Sequence, residues 1–309
     1  MPPHRFHAPA RRRDDHGLMR SLLFVPGDDA RKLARALACG ADAVILDLED
    51  SVAPGAKALA RERVAAFLRE AREAQTRTRL YVRVNPLAGG LVDADLDAVM
   101  PQAPHGIVLP KSLNGASVQQ LGVKLAVREA RHELPDGATR VLPIATESAR
   151  AMFGLGSYAG CSARLEGLSW GAEDLSADLG ALAARLPDGG YAPPYQVARA
   201  MALFAAVAAG VTPIDTVFPA FRDLAGLRAD AAAARRDGFE AKLAIHPDQV
   251  AVINEVFTPS APELARAQAI VDAFAEAPQA GVVALEGQML DAPHLARARK
   301  VLARAAGAG

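Results

Sequence analysis

Several short apolar runs in this sequence end in side chains that can do chemistry. One closes in Asp47-Leu48-Glu49-Asp50-Ser51 and the next reads Tyr81-Val82-Arg83-Val84-Asn85-Pro86. Others close in Pro110-Lys111-Ser112, Thr146-Glu147-Ser148, Gly171-Ala172-Glu173-Asp174 and His246-Pro247. If these run ends converge, they make a carboxylate-rich rim with one arginine and one lysine. Carboxylates brought together from different elements repel unless a cation joins them. Magnesium suits such a place, since it takes one or two carboxylates, several waters and a substrate oxygen. A ligand set poor in Cys and His disfavours zinc. Glu147 and Asp174 are the best ligands, because they follow adjacent runs closely. Either alone would also serve as a helix cap or first-turn acid. Arg83 sits inside an apolar pattern. It is either a snorkelling, ion-paired arginine or a planar fork for a carboxylate or enolate.

The elements that must position these groups show in the alternation of apolar runs with amphipathic stretches. The runs are Leu22–Val25, Ala43–Leu48, Leu80–Val84, Gly106–Leu109, Val141–Ala145, Leu165–Trp170, Ile214–Phe218 and Lys242–Ile245. Several lack polar alternation, as strands covered on both faces do. Helix-like segments lie between them, including Arg31–Cys39 before Gly40, Ala56–Ala74, and Pro194–Ala209 before Gly210. Run starts recur roughly every 30 residues, the size of a βα unit. Eight units over about 225 residues predict an α/β fold, a (β/α)8 TIM barrel. A doubly wound sheet is the rival, but the first turn, Pro26-Gly27-Asp28-Asp29, has no GxGxxG. In a TIM barrel the site lies at the C-terminal ends of the strands, where the rim falls. The predicted domains are a disordered tail over 1–18, the barrel over 19–258, and a C-terminal helical arm over 259–309. In the arm, Ala261–Ala275 and His294–Ala306 read as helices around a loop or strand, Gly281–Leu290.

Composition narrows the class. The 309 residues are 51% hydrophobic, and 35 basic residues balance 35 acidic ones. That argues against bulk binding to nucleic acid or an anionic membrane. The longest apolar stretch, Ala200 to Ala209, is too short to span a bilayer. Cys39 and Cys161 are the only cysteines, which excludes a disulfide framework and points to a reducing, cytoplasmic setting. Residues Met1 to Leu18 are rich in Pro, Arg and His without periodicity or a signal-peptide core. They read as a disordered tail, or as an overextended start with Met19 the initiator.

Several segments together resemble the citrate lyase β-subunit-like family of the HpcH/HpaI aldolase superfamily, which includes malyl-CoA and citramalyl-CoA lyases. They are Arg20-Ser21-Leu22-Leu23-Phe24-Val25-Pro26-Gly27, the stretch Ala41 to Val52, Arg83-Val84-Asn85, Leu109-Pro110-Lys111, the stretch Gly171 to Gly180, Pro213 to Val217, and Ala244-Ile245-His246-Pro247. The resemblance runs from Arg20 to about Ala298. It implies a (β/α)8 barrel, Mg²⁺, and a CoA or acyl-carrier thioester substrate. By motif match it makes Glu147 and Asp174 the magnesium ligands, and Arg83 the group that holds a substrate carboxylate or enolate. Glu49 and Asp50 become an acidic pair near the metal waters. Lys111, Arg20 and Lys32 join Arg83 as expected substrate-binding residues.

The arm Leu285-Glu286-Gly287-Gln288-Met289-Leu290-Asp291-Ala292-Pro293 resembles the family's Asp-Gly-Lys-Met-Ile-Asp-x-Pro, with Glu286 and Gln288 as departures. Asp291 matches the aspartate that reaches a neighbour's site in the lyases; capping the last helix is its plainer reading. The implied assembly is a homotrimer or hexamer. Lys111, one of six lysines, is read as a barrel-mouth lysine paired to Glu49 or Glu147 in preference to a Schiff-base nucleophile. His246 reads as a loop group, and Trp170 as core.

The expected activity is Mg²⁺-dependent carbon–carbon cleavage of a malyl-CoA-, citramalyl-CoA- or citryl-CoA-like thioester, giving an acyl-CoA and a 2-oxo acid. One alternative is a class II aldolase on free 4-hydroxy-2-oxo acids. Those sequences resemble Gly-Glu-His where this one has Leu48-Glu49-Asp50, and they lack the long arm. The other alternative is a non-autonomous β-like subunit of a citrate lyase complex.

Overall fold

The computed structural model describes residues 18–306; the predicted tail lies outside them except for Leu18. The chain divides into two compact units, and the first spans Met19–Asn254. Its strands are β1 Ser21–Pro26, β2 Ala43–Asp47, β3 Arg79–Arg83, β4 Gly106–Leu109, β5 Arg140–Pro143, β6 Gly167–Ser169, β7 Thr212–Asp215 and β8 Ala241–Ala244. The helices are α1 Ala30–Arg35, α2 Lys57–Glu73, α3 Val92–Val99, α4 Gly115–Arg131, α5 Ala149–Met152, α6 Ala172–Asp178, α7 Pro193–Ala208, α8 Leu224–Asp237 and α9 Pro247–Phe257. The strands form one eight-stranded sheet in the order β5-β4-β3-β2-β1-β8-β7-β6, with every pair parallel. Parallel bridges Val141↔Leu165 and Ile144↔Ser169 join β5 to β6 and close the barrel.

The strands form where the apolar runs lie, because both sheet faces are covered and every position is rewarded for being apolar. Leu22, Ile45, Tyr81, Val108, Leu142, Ile144, Ile214 and Leu243 fill the interior. Alternation then sends Asp47 and Arg83, two residues beyond Ile45 and Tyr81, to the same inner face at the strand ends. The predicted helix Arg31–Cys39 starts as α1 and tightens into a 3-10 turn over Ala36–Cys39. Gly40 follows with φ 73°, a left-handed stop that glycine adopts without strain.

The β5–β6 seam is braced from outside. Arg164, just before β6, donates from both terminal nitrogens to Glu129 of α4 at 2.6 Å. Thr139 and Gly137 backbone N–H groups bond the same carboxylate. Although burial opposes its charge, Arg164 and these amides hold the Glu129 carboxyl down at about 2. Removing one member of such a pair strands the other, so Arg164→Met should cost about 3–5 kcal/mol in urea unfolding. The parent's advantage should be complete above Glu129's ordinary pKa of 4.5 and vanish as pH falls through about 2. An equal gap at pH 7 and in strong acid would contradict this.

The second unit contains the residues from Glu255 onward. The division falls inside α9, slightly before the break after 258 expected from sequence. Helix α10, Ala261–Glu276, opens with a capping box in which Ser260 and Glu263 bond reciprocally. The segment read as loop or strand is a hairpin, β9 Val282–Leu285 with β10 Gln288–Asp291. Its two-residue turn, Glu286-Gly287, has positive φ at both positions. Helix α11, Ala292–Ala306, packs on α10 with its Ala298 in one cluster with Ala267 and Ile270 of α10 and Leu290 of β10.

Candidate active site

The inner ends of β2 and β3 hold an ion pair at their last registered position, Asp47↔Arg83. Arg83 donates from Nε to Asp47 Oδ1 at 2.7 Å and from Nη2 to Asp47 Oδ2 at 2.6 Å. Its guanidinium lies 4.7 Å from the centre of the Phe24 ring. Burial opposes the charge, but Asp47, then Glu49 and Asp50, raise the Arg83 pKa above its ordinary value. Asp47 also accepts the Glu49 N–H at 2.9 Å and the Ser51 N–H at 3.2 Å. It therefore shapes the loop that carries the acids. Lys57 Nζ bonds the Leu48 and Glu49 carbonyls at 2.7 and 2.8 Å, and Asn85 bonds the Leu48 carbonyl at 3.0 Å.

Glu49 is buried between two cations. Arg83 Nη1 lies 3.1 Å from its Oε2, and Lys111 Nζ contacts its Oε1. Oε2 has no aligned hydrogen bond. Asp50 is half-exposed, with Lys111 at 3.3 Å and Arg83 at 3.7 Å. Lys111 follows β4 with φ 51°, in the left-handed region that costs a side-chain-bearing residue energy. That turn aims its backbone N–H at Glu147 Oε2 and its ammonium at Glu49, Asp50 and Asp174, the last at 3.5 Å. The acids raise the Lys111 pKa above its ordinary value despite burial. A lysine held this firmly protonated is a poor Schiff-base nucleophile.

Glu147, after β5, is 6% exposed. Burial first, then the charges of Asp174 and Glu49, push its carboxyl up to about 8. Asp174 projects from the first turn of α6. Gly171 makes room for Glu147, since a Cβ there would stand 2.7 Å from Glu147 Cγ. Trp170 Nε1 donates to Asp215 at 2.8 Å, and Asp215 also accepts from Lys242 at 2.7 Å, anchoring the strand end before Gly171. Gly171→Ala must displace the Glu147 side chain. A misplacement of about 1 Å at a reacting group costs about 10²-fold, so kcat/KM should fall ten- to a hundredfold, by roughly that logic. An unchanged rate would show that Glu147's position is not critical.

Five acids, Asp47, Glu49, Asp50, Glu147 and Asp174, thus share a neighbourhood with two cations, Arg83 and Lys111. The excess negative charge, the unbonded Glu49 Oε2 and the all-oxygen donors fit a hard divalent cation. Among the described residues, no three His, Cys, Asp or Glu side chains form a ready-made metal cage. A cation here would rest on Glu147 and Asp174 and complete its shell with water and substrate.

Not every expected residue joins this cluster. Arg20 precedes β1, at the opposite end of the strands from Asp47 and Arg83. It bonds Asp42 Oδ2 at 2.8 Å through Nε and Oδ1 at 2.8 Å through Nη2. The expectation that it binds substrate is corrected: its backbone starts the strand whose far end faces the site. Lys32 lies in exposed α1, and its Nζ is 3.7 Å from Asp29. Arg83 does join, but its two-pronged edge is taken by Asp47, leaving Nη1 toward the acids. Asp47 itself was overlooked as a functional residue. Its signal was parity with Ile45 at the end of a fully apolar strand. His246 stacks on Phe221 at 5.0 Å, as a loop group would. In the second unit, Asp291 ends β10 directly before α11, and its Oδ1 pairs with His294 Nδ1 at 2.6 Å. That hydrogen bond holds the Asp291 carboxyl below the usual range.

The family model described as HpcH/HpaI aldolase/citrate lyase matches residues 20–247. The chain belongs to this family. A second model, a C-C bond lyase of the TIM-barrel fold, matches residues 198–309. This member of the HpcH/HpaI aldolase/citrate lyase family is accordingly an enzyme of carbon–carbon bond chemistry. It is 38% identical over 302 residues to a citrate lyase subunit beta-like protein of Deinococcus radiodurans, covering 94% of this chain and 98% of that one. It is 35% identical over 291 residues to a (3S)-malyl-CoA thioesterase of Cereibacter sphaeroides, covering 93% and 94%. The crystal structure of CitE from Mycobacterium tuberculosis in complex with magnesium, acetoacetate and coenzyme A aligns with a TM-score of 0.77 at 32% identity. That alignment covers 95% of this chain and 100% of that one. No helix among the described residues is long and apolar enough to cross a membrane.

Proposed function

We propose that the protein is a Mg²⁺-dependent lyase that cleaves a 3-hydroxyacyl-CoA thioester carrying a carboxylate beside the hydroxyl, of the malyl-, citramalyl- or citryl-CoA kind. The products are an acyl-CoA such as acetyl-CoA and a 2-oxo acid. The observation that carries this reading is the buried Glu147 beside Asp174, an acid pair with the Lys111 ammonium 3.5 Å from Asp174. Magnesium and coenzyme A in the mycobacterial relative support it. Mg²⁺ held by Glu147 and Asp174 would supply Lewis-acid stabilisation of the substrate's hydroxyl and carboxylate oxygens. Lys111 and Arg83 Nη1 keep fixed positive charge where the thioester enolate develops, without reorganising. Glu49 Oε2, lacking a hydrogen bond, is the acceptor for the hydroxyl proton, with Asp50 beside it. The electrons of the broken bond remain on the thioester as an enolate, and a proton must reach its carbon.

Asp291, ionised beside His294 in the free chain, is the proposed base toward acetyl-CoA, and in the cleavage direction it donates to the enolate carbon only after taking up a proton. It acts in the site of a neighbouring copy within a ring-shaped trimer or hexamer, since a head-to-tail contact must close to be finite. Mixing Asp291→Ala with Glu147→Ala under subunit exchange should restore activity, because some sites then combine an intact barrel with an intact arm. No recovery despite proven exchange would place Asp291 outside a shared site. The free thiols Cys39 and Cys161 suit a cytoplasmic location.

The thioesterase named among the relatives favours a second reading, hydrolysis of the thioester itself. One experiment separates the two. The purified chain is given malyl-CoA and citramalyl-CoA, with and without Mg²⁺. Acetyl-CoA with glyoxylate or pyruvate supports the lyase; free CoA with malate or citramalate supports the hydrolase. Turnover unaffected by metal removal would refute the Mg²⁺ assignment.

A further inference from the structure

Lys111 is held in a backbone conformation that a lysine avoids. Among the described non-glycine residues with positive φ, Gln75, Ala103 and Glu133 lie just past helical segments and Glu286 sits in the hairpin turn, where such angles are ordinary. Lys111 follows strand β4 instead, with φ 51° and no helix end to account for it. A side-chain-bearing residue stays in that region only where its surroundings over-determine it. The next residue shows what does so here. Ser112 is 1% exposed and is bonded at three atoms. Its N–H donates to the Ile144 carbonyl at 3.3 Å, its carbonyl accepts from the Tyr158 hydroxyl at 3.3 Å, and its Oγ lies 2.8 Å from that same hydroxyl.

Tyr158 ends the 3-10 turn Leu155–Tyr158, which follows β5, and it is buried. This turn is seated tightly against the segment after β4. A Cβ on Gly154 would run into the Leu113 carbonyl, and one on Gly115 into the Ser157 carbonyl. The Gly115 N–H donates to Ser157 Oγ at 2.9 Å. The ring therefore acts from a fixed base, and both hydrogen bonds of its hydroxyl go to the neighbour of Lys111. We propose that Tyr158 is a positioning residue: its hydroxyl latches Ser112 and so holds the Lys111 turn in place. From that turn the Lys111 N–H reaches Glu147, and the ammonium reaches Glu49, Asp50 and Asp174. Without the latch the strained residue relaxes, the N–H swings off Glu147 and the ammonium leaves its place among the acids. The effect on turnover rests on the lyase reading, whereas the hold on the turn does not.

The test uses Tyr158→Phe, which removes one oxygen and keeps the ring, and Ser112→Ala, which removes the facing hydroxyl. Should the first fail to fold, the second carries the same measurements. Hydrogen exchange of the full chain, read by mass spectrometry, should quicken roughly three- to tenfold at the Lys111–Leu113 amides in either variant, the worth of one hydrogen bond. Amides elsewhere should keep their parental rates. With malyl-CoA or citramalyl-CoA and Mg²⁺, kcat should fall about tenfold while KM stays within about twofold, because the displaced charge matters only in the transition state. The double variant should show little more than the larger single effect, since both substitutions break one contact. A tyrosine that merely fills the core would lower the melting temperature and quicken exchange throughout, with kcat unmoved. That result, unchanged exchange at the turn, or faster exchange there with kcat unmoved in an active enzyme would overturn the inference and leave the lyase standing. A parent that cleaves neither thioester sinks the lyase reading alone, and exchange at the turn then decides the latch.

Discussion

Glu147→Gln should abolish activity while leaving a folded protein. The substitution keeps the shape of the side chain and its contact with the Lys111 N–H, but removes the charge that a divalent cation needs. Changes to groups outside a metal's coordination shell already cost 10–100-fold, so loss of a ligand should cost ~10³-fold or more in kcat/KM. Stability should move the other way. Glu147 is buried beside Asp174 and Glu49, and a neutral amide escapes both desolvation and like-charge repulsion. In the absence of metal the variant should therefore melt no lower than the parent. On adding Mg²⁺ the parent's melting temperature should rise, as any ligand of the native state raises it, and the variant's should not. The two curves separate a metal ligand from a merely structural acid. A variant that retains near-parental turnover, or still gains stability from Mg²⁺, would remove Glu147 from the metal site.

Arg83→Lys is expected to be nearly as damaging as Arg83→Ala. Arg83 uses one edge for two hydrogen bonds to Asp47, turns Nη1 toward Glu49, and covers the Phe24 ring. An ammonium can replace one of these contacts, not all three. Freed from its partner, Asp47 would no longer hold the Glu49 and Ser51 amides in place, and the acidic loop would shift. A fall of ~10²-fold in kcat/KM is expected for lysine, the scale of a 1 Å displacement in a catalytic group. Arg83→Ala should cost a further measure of stability, about 3–5 kcal/mol, because Asp47 becomes a buried charge without its counter-ion. Steady-state kinetics and urea unfolding of both variants provide the check. Most activity surviving in the lysine variant would show that charge alone matters at this position.

Much of the barrel was legible from residues 20–250 because fully covered parallel strands leave a plain signal. Ala43–Asp47 is apolar up to its last residue, and eight such short runs at regular intervals fit strands covered on both faces. The rim was legible for the same reason: polar residues that close such runs must emerge at one end of the barrel. Glu49, Arg83, Lys111, Glu147 and Asp174 could be named before any contact was known. What linear order does not contain is which charges meet. Asp47 and Arg83 are 36 positions apart and become partners only through the parallel register of β2 and β3. That pairing turned an arginine expected to grip substrate with its fork into one whose fork is already engaged. Arg20 was misplaced because the motif match was followed without its position: it precedes the first apolar run, and in a barrel the start of a strand lies at the end away from the site. Residue types and their period decide which surfaces are apolar and where helices and strands begin. The balance of charge at the mouth arises from contacts between distant segments that form only when the barrel closes.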